Sequence, residues 1–159
     1  MTASFTVRMA RPADDTARAA LLAPTYDCAP ETLIAEAAEI RTRFRAFGDL
    51  APGLVAWVAE SDDAAIIGTA EATVRLYANG CETLRVLFLE GIAVATDRRG
   101  DGVGTALIAA VEAWAWQQGI AEIAADVSAA DMAARRWHGR LGFTETETVV
   151  CLRRRVGPA

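Results

Sequence analysis

A mixed α/β domain is what the sequence predicts, and three observations carry the prediction. Segments with apolar residues three and four apart alternate with short β-branched and apolar runs. One of those runs, "LRVLFLEGIAVA", is almost wholly apolar, as a strand covered on both faces is. A glycine-rich segment, "TDRRGDGVG", then separates that run from the next stretch of helical period.

Taken in order, "SFTVRMA" reads as a first strand, and Pro12 suits the first position of a helix reaching Leu22. A second helix is expected from about Pro30 to Phe47, with Leu33, Ala37, Ile40 and Phe44 at helical spacing and Gly48 suited to its end. "GLVAWVAE" and "AAIIGTAEATVRLY" read as strands joined by Ser61, Asp62 and Asp63, and Asn79-Gly80 is a hairpin signal before the apolar run. Beyond the glycine-rich segment, Leu107, Val111 and Trp114 mark one face of a helix that Gly119 can close. "IAEIAADV" is the next strand. Ser128 with Asp131 resembles a capping box for a helix whose buried face is Ala133, Trp137 and Leu141 and which ends at Gly142. "FTETETVVCLRRR" is expected to close the sheet as a sixth strand. No repeat, low-complexity tract or linker interrupts residues 1–159, so one domain is expected.

Composition narrows the class. A chain of 159 residues, 53% hydrophobic and 23% charged, has the size and apolar content of one core. No apolar stretch reaches the ~20 residues of a membrane span, and no basic-then-apolar leader opens the sequence, so a soluble cytoplasmic protein without a membrane partner is expected. Cys28, Cys81 and Cys151 are odd in number and far apart, which disfavours a disulfide framework and a zinc site; with a single histidine, no metal centre is expected. A formal charge of −5 argues against nucleic acid and suits a cationic small molecule.

The chemistry concentrates in three places. In "RRGDGVG", Arg99, Gly102 and Gly104 form an R-x-x-G-x-G pattern after a strand and before a helix, where unpaired N–H groups and close backbone approach can hold a pyrophosphate. The glycine spacing is not that of a dinucleotide-binding fold, and the lysine of a P-loop is missing. Glu90 is a carboxylate inside an apolar strand, which requires either a partner, such as an arginine, or a function; Gly91 beside it predicts a bulge that re-aims the side chain. Asp126 falls near the C-terminal end of the neighbouring strand, where side chains line the crevice of open α/β sheets. His138 is the only histidine, in a core, surface or acid-base role. No cysteine has a histidine near it in sequence, so direct transfer is preferred to a thioester intermediate.

From about Ile67 to Arg154, "VRLYANGCET", "FLEGIAV", "RRGDGVG", "EIAADV", "HGRLGF" and "ETETVV" resemble, in order and spacing, the aminoglycoside 6'-N-acetyltransferases of the GNAT superfamily. The resemblance implies the GNAT fold, a mixed, mostly antiparallel sheet of six to seven strands flanked by about four helices. It implies an acetyl-CoA-dependent N-acetyltransferase whose acceptor is a cationic amine, an aminoglycoside, and a homodimer. By the same resemblance acetyl-CoA is held by Arg99, Gly100, Asp101, Gly102, Val103, Gly104 and Thr105, by the strand residues Ile92, Ala93 and Val94, and by Asp131. Glu90 and Asp126 contact the acceptor's ammonium groups and one of them takes the proton; Tyr77 lies near the acceptor; His138 protonates the departing thiolate. This chain has Ala125-Asp126 where the family has Ser-Asp, Asp131 in place of an asparagine, and an acidic Asp101 in the pyrophosphate loop. The first fifty residues match poorly, which leaves open another amine (a polyamine, an amino sugar, a protein N-terminus) or a CoA-sensing module without catalysis.

Overall fold

A computed structural model of the chain describes residues 4–45 and 53–157, so Gly48, the expected helix end, lies outside the described residues. Two compact units are distinguished, 1–126 and 127–159. The first contains β1 (Phe5–Met9), a 3-10 turn (Pro12–Asp14), α1 (Asp15–Tyr26), α2 (Pro30–Arg45), β2 (Val55–Ser61), β3 (Ile66–Arg75), β4 (Val86–Val94), a second 3-10 turn (Thr96–Arg98), α3 (Val103–Gln117) and β5 (Glu122–Ala124). The five strands form one sheet in the order β1-β2-β3-β4-β5. The first four pair antiparallel and β5 joins β4 in parallel.

Side-chain alternation along β3 assigns the helices to opposite faces. A Cβ on Gly68 would come within 2.7 Å of Val103 and 3.2 Å of Leu107 on α3, so glycine lets that helix approach. Thr69 and Glu71 instead bond Arg18 of α1. Between sheet and α3 the core is built of small and branched residues, with Ala59, Ala70, Ala72, Leu87, Leu107 and Val111 buried. Trp114, half-buried, meets Trp57 edge to face at 5.9 Å. Val86, Leu87, Phe88 and Leu89 are all buried, as the apolar run predicts. The Asn79-Gly80 signal marks a turn with Gly80 at φ 74°, but β3 and β4 are joined by residues 76–85 rather than by a two-residue hairpin.

The start of the first helix is fixed electrostatically. Asp14, buried, receives both Arg8 nitrogens at 2.8 and 3.0 Å and the Arg11 amide at 2.6 Å. The Arg8 hydrogen bond, ahead of the opposing effect of burial, holds the Asp14 carboxyl below its ordinary 3.8. A depressed folded value stabilises above the unfolded one and is lost as pH falls through the folded one. Urea unfolding should therefore lose midpoint concentration below about pH 4. In Asp14→Asn the midpoint should be lower at pH 7 and fall less over that acidic range; an equal fall in both proteins would contradict the assignment.

The second unit holds α4 (Met132–Arg140). Its N-cap is Asp131 rather than Ser128, because the Asp131 carboxylate accepts from the amides of Ala133 and Ala134 at 3.1 and 2.9 Å. Gly142, at φ 91°, follows its end as expected. Within this unit none of Ala133, Trp137 and Leu141 is buried: Trp137 and Leu141 are half-buried and Ala133 is exposed. The expected sixth strand is not formed. Residues 144–157 carry no regular structure and are exposed, although "TETETVVCL" has the alternation and β-branched content of a strand. Such a pattern states a preference only; a strand also needs a partner edge for its N–H and C=O groups, and the unit's own regular element is a helix. No helix among the described residues is long and apolar enough to cross a membrane.

Candidate functional site

The site is organised by an irregularity in β4. Gly91 pairs with Glu71 and Leu89 with Ala72, so Glu90 is an extra residue between two rungs, the bulge that Glu-Gly predicts. Gly91 is required there because a Cβ would collide with the Tyr26 hydroxyl, which donates to the Glu90 carbonyl. The bulge places the Glu90 carboxylate beside Thr73, whose hydroxyl donates to it. Arg75 Nη2 bonds Oε1 at 2.8 Å and Oε2 at 2.9 Å, and its guanidinium lies 3.5 Å from the centroid of the Phe88 ring. Glu90 thus has the arginine partner that a carboxylate in an apolar strand calls for, at the wall of a cavity.

That cavity, about 730 Å³, lies between α1, α2 and the strands β3 and β4, with Asp126 at its margin. Five carboxylates line it, Asp15, Glu36, Glu71, Glu90 and Asp126, against two guanidiniums, Arg18 and Arg75. Arg18 is 4% exposed and bonds Asp15 at 2.9 Å, Glu71 at 2.7 Å and Thr69 at 3.3 Å. Burial first, then the nearby carboxylates of Glu71, Glu90 and Asp126, push the Tyr26 phenol well above its ordinary value, so it stays a hydroxyl donor at neutral pH. An acidic cavity with fixed donors on one wall suits an acceptor bearing several ammonium groups.

Of these residues, Glu90 and Asp126 were legible in sequence; Tyr26, Arg18, Glu71 and Arg75 were not. A carboxylate within an apolar strand, the signal that marks Glu90, also marks Glu71 in "IIGTAEATV". Arg18, Leu22 and Tyr26 stand four apart on one face of α1, which gives the helical side of the cavity. Tyr77 lies on the segment after β3, exposed, and is not part of the cavity lining.

From Glu90, β4 runs on through Ile92, Ala93 and Val94, which pair on one side with Ala70, Thr69 and Gly68. Its parallel ladder with β5 ends at Phe88 and Ala124, so among the described residues no strand covers the other edge beyond that point. At about 3.3 Å per residue, four residues carry the chain about 13 Å from Glu90 to Val94 before it turns toward α3. Gly100 and Gly102 have φ of 91° and 84°, and neither has a heavy atom within 4 Å of an added Cβ, so the backbone there is open to a close approach. Gly102 is the N-cap of α3, and no side chain caps the helix. Its carbonyl accepts from the Ala106 amide at 3.0 Å, which leaves the amides of Val103, Gly104 and Thr105 at the open first turn. Asp101 is paired with Arg98 at 3.0 Å, so its charge is compensated within the loop, while Arg99 is exposed. Uncapped amides, positive-φ glycines and the exposed Arg99 fit a diphosphate.

Within the second unit, His138 Nδ1 lies 2.9 Å from the Ala134 carbonyl, and the ring meets Trp137 and Phe143 edge to face at 5.0 and 5.3 Å. A carbonyl partner makes Nδ1 the donor and leaves Nε2 outside that bond. No cluster of His, Cys, Asp and Glu among the described residues could hold a metal ion.

The chain is similar to known proteins over most of its length. The profile of the Acetyltransferase (GNAT) family matches residues 20–143. The aminoglycoside N(6')-acetyltransferase type 1 of Serratia marcescens is 44% identical over 107 residues, 67% of this chain and 73% of that protein. The protein of the same name from Stenotrophomonas maltophilia is 39% identical over 158 residues, 97% of this chain and 95% of its own length. Among solved structures, AAC(6')-Iy in complex with the bisubstrate analogue CoA-S-monomethyl-acetylneamine superposes with a TM-score of 0.82 at 32% identity, covering 96% of this chain and 99% of that one. With the family profile matched over residues 20–143 and relatives aligned over most of their length, the chain belongs to the Acetyltransferase (GNAT) family.

Proposed function

We propose that this protein transfers the acetyl group of acetyl-CoA directly to the 6'-amine of an aminoglycoside. The observation that carries the reading is the acidic cavity at the Glu90 bulge, on the same strand that leads into the uncapped start of α3. The names of the relatives support the acceptor class. The amides of Gly100, Gly102, Val103, Gly104 and Thr105 take the pyrophosphate with Arg99, Asp101 being neutralised by Arg98. The free edge at Ile92, Ala93 and Val94 takes the pantetheine and polarises the thioester carbonyl. Asp131, one oxygen of which caps α4, has a second oxygen for the pantetheine side.

Glu90 and Asp126 draw in the ammonium groups, and a carboxylate or a water beside it takes the proton of the attacking ammonium to free its lone pair. The nitrogen lone pair forms the C–N bond, the C–S bond breaks, the nitrogen gives up its second proton to the carboxylate or water, and the thiolate takes a proton from Nε2 of His138. The protein acts in the cytoplasm, as a homodimer. Trp116, 83% exposed, and the exposed Val149, Val150 and Leu152 are apolar surface available for an interface. Sedimentation showing only monomer over a range of concentrations would refute the dimer.

A thiol-release assay with acetyl-CoA and kanamycin or tobramycin tests the function. Turnover is expected in the unmodified protein, with loss in alanine variants of Glu90, Asp126 and His138. Absence of thiol release with any aminoglycoside, while acetyl-CoA raises the melting temperature, would overturn it.

A further inference from the structure

The Glu90 carboxylate that an acceptor would use already has a cation on it. Arg75 spans its oxygens at 2.8 and 2.9 Å and Thr73 adds a hydroxyl. A guanidinium therefore already holds acceptor sites on Glu90 that an ammonium would compete for. The two cations of the cavity differ in how firmly they are held. Arg18 is 4% exposed and tied to three partners on two elements. Arg75 is the last residue of β3, its side chain is 41% exposed, and among the described residues it is held by Glu90 and by the flat face of Phe88 beneath it. An ion pair of that exposure is cheap to open, and the ring gives the displaced guanidinium a surface on which to slide.

We propose that Arg75 is a built-in counter-ion that an acceptor must displace from Glu90, and so a residue that sets the acceptor's charge requirement. The inference rests on the proposed aminoglycoside reading and deepens it. An ammonium group replaces Arg75 one cation for another, keeping Glu90 neutralised throughout. A neutral group at that position would leave Arg75 in place and the carboxylate closed. Arg75 acts through Glu90 and is a specificity residue rather than a catalytic one.

The test is calorimetric titration of neamine into the unmodified protein, Arg75→Gln and Arg75→Lys, with steady-state kinetics on kanamycin alongside. Removing the competitor in Arg75→Gln should tighten neamine about 5-fold, the equivalent of one partly exposed ion pair with its ring contact. The kanamycin KM should fall with kcat not reduced, and CoA affinity should not change. Lysine keeps the charge but not the fork or the stack, so Arg75→Lys should lie between the two. It also carries the test if Arg75→Gln does not fold. Equal or weaker neamine binding in a folded variant, or a fall in kcat at unchanged KM, overturns the proposal and makes Arg75 a support for Glu90. The function fails separately: no turnover by any of the proteins, with tighter neamine in Arg75→Gln, refutes acetylation but not displacement. No neamine binding by any of them refutes both.

Discussion

Glu90→Gln is expected to lower kcat for kanamycin acetylation by about 10²-fold or more, the usual weight of a positioned acid-base group, while the melting temperature stays close to that of the unmodified protein. Glutamine keeps an oxygen for the Thr73 hydroxyl and fits the same bulge, since the backbone there is held by Gly91 and by the Tyr26 hydroxyl on the residue 90 carbonyl. What it loses is the charge that attracts an ammonium and the capacity to take a proton. Arg75 loses its carboxylate but is solvated enough for water to replace it, so the fold should not suffer. A variant as active as the unmodified protein would reduce Glu90 to the ion pair with Arg75.

Arg18→Leu should give the largest loss of stability among the site residues. The guanidinium is buried and joins α1 to β3 through Glu71 and Thr69, with Asp15 one turn back on its own helix. Removing one partner from such a network costs about 3 kcal/mol, because carboxylates placed for a guanidinium lose it while still shielded from water. For a chain of this size that corresponds to about 10 °C in melting temperature. Acceptor binding should weaken as well, since Glu71 and Asp15 line the cavity. A melting temperature within about 3 °C of the unmodified protein would show that leucine packing compensates, as it does for some buried ion pairs.

What could be read from the sequence was what local pattern determines. The apolar run around Glu90, the bulge at Gly91, the glycine turn opening α3 and the cap of α4 depend on residues close together in the chain, and each is found within a few residues of its expected place. The cavity was legible only from its strand side. Its helical wall depends on α1 crossing β3 and β4, and no spacing within "DTARAALLAPTY" states that Arg18 will meet Glu71 or that Tyr26 will reach the Glu90 carbonyl. The C-terminal run failed for the complementary reason. Alternation of threonine and glutamate followed by Val149 and Val150 gives strand propensity, but a strand exists only where another edge pairs with it. For Glu90 the structure shows the arginine partner, and that partner lines the cavity itself, which leaves room for a functional role beside it.

A crystal structure with coenzyme A and kanamycin bound together tests the central claim most directly. Diphosphate density is expected on the amides from Gly102 to Thr105, pantetheine along the open edge of β4, and the 6'-amine in the cavity with an ammonium group against Glu90 or Asp126. Coenzyme A bound elsewhere, or kanamycin outside the cavity that Glu90 lines, would contradict it.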